Sequence, residues 1–150
     1  MRTRDGATGL PLQTGALPWR VSDGRGLEVL LVTSRRSSRW LIPKGWPMLG
    51  KTLAAAAAQE AYEEAGVRGR IDPQPLGSFR HRKQHEILGA MEVSILVHGL
   101  AVEQELPVWP EIGQRDRQWL SLEAAAAKVE SVALAGFMTE FGARVSSGQR

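Results

Sequence analysis

The sequence predicts a single domain of mixed α/β class, and three observations lead there. Residues 28–33 (EVLLVT) and 91–97 (MEVSILV) are short β-branched and leucine-rich runs that read as buried strands. An alanine-rich stretch between them, residues 53–65, has helical composition, and two more helical segments close the chain. Strands, one helix, more strands and then helices is not a regular βαβ alternation, so the sheet should be mixed with helices packed on it.

Residues 16–21 read as a first strand, ended by the turn at Ser22, Asp23 and Gly24. After the strand at 28–33, residues 40–42 form a short strand that Pro43 stops. Residues 44–50, with two glycines and a proline, should be a loop. Thr52 can cap the helix over 53–65, and Gly66 stands where a left-handed C′ residue ends it. Residues 67–71 and 76–79 read as strands around Asp72-Pro73, and 118–120 as another short one. Residues 122–129 and 132–143 read as helices, the last amphipathic and suited to packing on a sheet. Residues 1–14 are expected to be a flexible arm and 15–150 the folded domain.

With 150 residues, 43% of them hydrophobic and 23% charged, the composition is that of a soluble globular domain able to bury its own core. There are no cysteines, which excludes disulfides, thiolate metal sites and thiol catalysis. The longest uninterrupted apolar run, residues 53–58, is far short of the roughly 20 residues of a membrane span. No hydrophobic stretch follows the N-terminal arginines as in a secretory signal, so the expected location is cytoplasmic. Net charge is +3, but residues 1–51 carry nine basic and three acidic side chains, whereas 52–67 carry three glutamates and no base. Arginine outnumbers lysine 15 to 4, and the planar arginine fork matches phosphate well.

The chemistry concentrates in PKGWPMLGKTLAAAAAQEAYEEAGV, residues 43–67. On a helix, Glu60, Glu63 and Glu64 share one face at i, i+3 and i+4, each like-charge pair costing roughly 0.2–0.5 kcal/mol. They lie in the last turns, where the helix dipole also disfavours negative charge, and no lysine or arginine of the helix relieves them. Something cationic should compensate, and hard ions such as Mg²⁺ prefer carboxylate oxygens.

Gly45, Glu60 and then Glu63-Glu64-Ala65-Gly66-Val67 resemble the signature of the Nudix hydrolases: Gly, five residues, Glu, seven residues, Arg-Glu, an aliphatic, any residue, Glu-Glu, any residue, Gly, an aliphatic. Every interval fits without a gap. Two positions depart from it: Lys51 replaces the early glutamate and Gln59 the arginine, two residues that in the family commonly pair to brace the loop against the helix. Both have changed together, which predicts a substituted brace beside an intact metal site. The flanks, EVLLVTSRRSSRWLIPKGW and WPEIGQRDRQWLSLEAA, are similar to the diphosphoinositol polyphosphate phosphohydrolase branch.

The resemblance implies an α/β/α sandwich whose mixed sheet carries the signature loop-helix and a C-terminal helix, and metal-assisted hydrolysis of a phosphoanhydride bond with Mg²⁺ or Mn²⁺. It makes Glu60, Glu64 and the main-chain carbonyl of Lys44 metal ligands, with Glu111 as a further candidate, and Glu63 the general base or another ligand. Phosphate would be met by Arg35, Arg36, Arg39 and Lys44, by Arg80, Arg82 and Lys83, and by Arg115 and Arg117, with Gly45 at the substrate and Arg20 a weaker candidate. The substrates it implies are a diphosphoinositol polyphosphate or a dinucleoside polyphosphate, ahead of RNA 5′-end pyrophosphates and nucleotide sugars. The alternative is a Nudix-fold binding or regulatory module with little hydrolase activity, motivated by Lys51 and Gln59.

His81 and His85 are four apart, a metal spacing on a helix, but their HRKQH setting is basic and beside a strand. Trp46 and Trp109 are candidates to border the pocket, whereas Trp40 and Trp119 are expected in the core. The five tryptophans show no stacking stripe, so a nucleic-acid platform is not indicated. Partners are therefore small polyphosphates, with no membrane. A homodimer is compatible with the sequence but is not read from it.

Overall fold

The computed structural model describes residues 3–85, 87 and 89–146. Eight strands form one sheet: β1 (Leu12–Ser22), β2 (Gly26–Thr33), β3 (Trp40–Leu41), β4 (Lys44–Gly45), β5 (Val67–Ile71), β6 (Gly77–His85), β7 (Gly89–Glu105) and β8 (Arg117–Ser121). The central path runs β3-β2-β1-β7-β5, with β4 on β1, β6 on β7 and β8 on β2. The β1–β7 pair is parallel, from Leu12 opposite Ser94 to Trp19 opposite Ala101, and the other pairs are antiparallel, so the sheet is mixed as expected. The helices are α1 (Leu53–Glu60), continued by a π-helical turn over Ala61–Ala65, then α2 (Leu122–Lys128) and α3 (Val132–Ser146).

Side-chain alternation sorts the central strands onto two faces. Leu17, Val29, Leu31, Val93, Ile95 and Val97 point to one side, where Leu134, Phe137, Met138 and Phe141 of α3 meet them. Those four lie at i, i+3, i+4 and i+7, the stripe of a helix laid on a sheet. Ala16, Leu30, Val32 and Leu100 point the other way, onto Ala57, Ala61 and Ala65. Alanines let α1 approach the sheet closely, and that approach brings its carboxylates over the strand ends.

The structure extends the expected elements where polar residues had hidden them. β1 begins at Leu12, inside the expected arm, because Leu12 to Trp19 pair with β7. The residues before it fold back, with Leu12 N–H donating to Thr3 O and the Ser94 hydroxyl to Asp5. β6 runs to His85 and β7 spans 17 residues, its first half paired with β6 and its second with β5. Lys44 and Gly45, expected in a loop, bridge to β1. None of the described helices is long and apolar enough to cross a membrane.

Candidate active site

The Thr52 side chain caps α1 by accepting from Ala55 N–H, and Thr14 Oγ1 donates to Leu53 O at 2.7 Å, which fastens the helix start to β1. At the other end Gly66 takes φ +67°, left-handed as its place after the helix requires, and its N–H donates to Tyr62 O. A π-helical turn, a feature that recurs at functional sites, carries Glu63 and Glu64. Glu60 and Glu64 are buried, and Glu63 is half-buried.

β4 forms the seat of Glu60. A Cβ on Gly45 would lie 1.6 Å from Glu60 Oε2, so only glycine leaves room for that carboxylate against the backbone. Burial raises the Glu60 pKa to about 7, with Glu63 and Glu111 adding to the rise. Burial likewise raises Glu64 to about 8, against the pull of Arg115 and with the help of Glu60 and Glu111. The neighbouring acids thus add to the cost that burial imposes on Glu60 and Glu64, a crowding of acidic groups in one place. The Lys44 ammonium answers part of it from inside the site: it donates to Gln13 Oε1 at 3.2 Å, and burial, with Lys83 nearby, lowers its pKa to about 8. The sequence had pointed to this side chain as a phosphate contact and to the Lys44 carbonyl as a metal ligand.

Two arginines, Arg115 just before β8 and Arg117 at its start, answer the rest. Arg115 points inward. Its Nε donates to Glu111 Oε1 at 2.8 Å, Nη1 donates to Thr33 O at 3.0 Å, and Nη2 lies 3.8 Å from Glu64 Oε2. Arg117 donates through Nη1 to Ala65 O at 2.8 Å and through Nη2 to Leu106 O at 3.0 Å, stacked 3.8 Å from the Trp109 ring centroid. A distant strand thus supplies the cation that the helix C-terminus lacks in its own sequence. The loop carrying Glu111 is tied to the same end, since Glu111 N–H donates to Glu63 O and Leu106 N–H to Gly66 O.

Beside this floor opens a cleft of about 620 Å³, into which Arg35, Arg36, Arg39, Lys44, Arg82 and Lys83 face together with Glu64 and Arg115. Arg35 also donates to Gln114, Arg39 pairs with Glu130, and Lys83 stands over the Trp46 ring. Arg20 is not among the lining residues: it bonds Glu28 Oε1 and stacks 4.0 Å from the Trp119 ring centroid. Arg80 is exposed and also outside the lining, because alternation along β6 turns it away from His81. Trp46 borders the cleft as expected, but Trp109 lies over Gly66 and under Arg117 instead.

His81 lines the cleft too, and burial, with Lys44, Lys83 and Arg39 around it, lowers its pKa to about 4, leaving it neutral. The metal spacing of His81 and His85 turns on the His85 side chain. The His85 side chain itself lies outside what is described. Among the described residues no three acidic or imidazole groups converge on one point as a ready-made metal cage. Glu63 accepts from Gln59 Nε2 at 2.6 Å, and Arg115 lies between Glu64 and Glu111.

Comparison with known proteins places this geometry in a family. The model of the NUDIX domain matches residues 11–141. Nudix hydrolase 16, mitochondrial, of Arabidopsis thaliana is 35% identical over 129 residues, covering 78% of this chain and 71% of that protein. Diphosphoinositol polyphosphate phosphohydrolase 2 of Rattus norvegicus is 36% identical over 103 residues, 65% of this chain and 52% of that one. The chain spans about half the length of several curated relatives it matches. Among solved structures, a C. elegans Ap4A hydrolase binary complex superposes with a TM-score of 0.68 at 20% identity, covering 91% of this chain and 98% of that one. The α/β/α sandwich is the fold they share.

Proposed function

The chain belongs to the NUDIX family, and from that premise we propose that it is a Mg²⁺- or Mn²⁺-dependent pyrophosphohydrolase. Its substrate would be a highly phosphorylated small molecule, either a diphosphoinositol polyphosphate or a dinucleoside polyphosphate, cleaved at a phosphoanhydride bond. One observation carries this reading: buried carboxylates form an acidic floor beside a cleft that seven lysines and arginines line. Such a pairing suits a substrate that arrives as a polyanion and is cut with the help of a cation.

The residues fit a hard divalent ion. Glu60, Glu63, Glu64 and Glu111 offer only oxygen donors, the glycine seat at Gly45 is built around the Glu60 carboxylate, and burial with neighbouring acids raises the pKa values of Glu60 and Glu64, a cost that a bound cation would relieve. Glu60 and Glu64 would hold the ion, with the Lys44 carbonyl and Glu111 beside them. Bound there, the ion would neutralise phosphate charge and lower the pKa of a water. Glu63, the most accessible of the three helix carboxylates, accepts the proton of the attacking water once it leaves Gln59. Arg35, Arg36, Arg39, Arg82 and Lys83 hold the phosphates by charge-assisted contacts. The similarity to a protein named for diphosphoinositol polyphosphates supports that substrate class.

A second reading, a binding module with little activity, is favoured by the Gln59–Glu63 hydrogen bond, which occupies the candidate base. Phosphorus NMR separates the two. Purified protein with Mg²⁺ is given a diphosphoinositol polyphosphate or a dinucleoside polyphosphate, with Glu63→Gln as control. Hydrolysis by the wild type alone supports the enzyme, and the faster substrate selects the class. Tight retention of either compound without hydrolysis, in Mg²⁺ or Mn²⁺, supports the module.

A further inference from the structure

The Arg115 guanidinium sits where a cation shared by Glu64 and Glu111 would sit. It is held on three sides, by Glu111 Oε1 at 2.8 Å, Thr33 O at 3.0 Å and Glu64 Oε2 at 3.8 Å. Its side chain is 13% exposed, against 7% for Glu64 and 20% for Glu111. The backbone beside it is pinned to β2 by Asp116 N–H donating to Thr33 Oγ1 and Thr33 N–H donating to Asp116 O. An arginine recruited for substrate would present its fork to the cleft. This one commits Nε to Glu111 and an Nη1 hydrogen to the Thr33 carbonyl, with Nη2 toward Glu64, and it also lines the cleft.

We propose that Arg115 is a resident counter-ion that competes with the divalent cation for Glu64 and Glu111, and that loading the metal turns its guanidinium toward the cleft. The inference rests on the metal-dependent reading of the same carboxylates. Removing the cation of a buried pair leaves its carboxylates uncompensated, so a metal-free site without Arg115 has the stronger demand for positive charge. A dication can meet that demand, and its apparent affinity rises by whatever the displacement of Arg115 had cost. Couplings between two ligands of one site are typically about 5–150-fold.

The test uses Mn²⁺ alone, with no substrate and no turnover. Free Mn²⁺ is counted by electron paramagnetic resonance in titrations of wild type, Arg115→Gln and Arg115→Lys. Arg115→Gln should bind Mn²⁺ about tenfold more tightly or better, with Arg115→Lys, which keeps the charge but loses the fork, in between. A gain is diagnostic, because a site damaged by lost packing would bind more weakly. Arg115→Lys also keeps the test alive where Arg115→Gln does not fold. Unchanged or weaker binding by the folded variants, with wild type still binding, overturns the counter-ion role and leaves the metal-dependent reading standing. No Mn²⁺ binding by any of the three proteins overturns both.

Discussion

Replacing Gly45 by alanine probes the site through one methyl group. The new Cβ would lie 1.6 Å from Glu60 Oε2, whereas ordinary contact begins at 3.4 Å, so the carboxylate must retreat by 3.4 − 1.6 = 1.8 Å. The obstructed atoms are the far end of a side chain, and the chain can therefore fold around the change. Overpacking of this kind costs about 1–3 kcal/mol, which for a domain of this size lowers Tm by roughly 3–10 °C. Catalysis is far less tolerant, since a displacement of about 1 Å in a reacting constellation can cost about 100-fold. The expected result is a folded protein whose kcat/KM for the substrate chosen by NMR falls at least about 100-fold, with weaker Mn²⁺ binding. Glu60→Gln serves as the reference for loss of the carboxylate itself. If Gly45→Ala kept activity within about threefold of wild type, the argument that Gly45 exists to seat Glu60 would be refuted.

Glu63→Gln should lower turnover by a factor of hundreds while thermal unfolding stays near wild type, because Glu63 is only half-buried; activity near wild type would remove it from the mechanism. Arg117→Gln loses the bonds to Ala65 O and Leu106 O and the stacking on Trp109, and should cost about 2–4 kcal/mol by denaturant titration. A change below about 0.5 kcal/mol would show that the helix end does not depend on it. In chelator, stability should fall as pH rises from about 4.5 to about 8, since the folded state holds protons on Glu60 and Glu64 that the unfolded chain releases near 4.5. From about 8 to 10.5 it should recover, because Lys44 is deprotonated folded and protonated unfolded. Tm measured across that range without a minimum near pH 8 would contradict both assignments.

The strands with an apolar pattern were legible in the sequence, and so was α1, because Thr52 and Gly66 mark its ends with side-chain and backbone chemistry that acts locally. The extensions of β6 and β7 were not. Their solvent-facing residues, such as Arg80, Glu103 and Glu105, are charged, and only pairing with a neighbour distant in the chain makes those stretches strands. The site divides the same way. The helix carboxylates could be found by counting intervals, whereas Arg117 acts on a carbonyl 52 residues away and on a ring stacked beneath it, and no local pattern encodes that. Arg115 did leave one signal: it stands four residues after Glu111, and the pair closes in the structure. That spacing pointed to an internal ion pair beside the cleft that Arg115 also lines.

The exchange of the usual brace residues for Lys51 and Gln59 is the motive for doubting catalysis, and the structure bears on it directly. Gln59 does not reach back to the loop at Lys51. It donates along its own helix to Glu63, and Lys51 is exposed. The helix is nevertheless held at several points. Glu60 rests on the Gly45 backbone, Thr14 holds the first carbonyl of α1, and Arg117 with Leu106 closes the last turn. A brace between residues 51 and 59 would act on the exposed side of this assembly, where an ion pair is commonly worth less than about 1 kcal/mol. The contacts that remain are largely sheltered from water, and one of them seats the Glu60 carboxylate itself. Loss of the exposed pair therefore leaves the geometry of Glu60 and Glu64 supported, and the substitution speaks less for a silent binding module than the bare sequence comparison suggests.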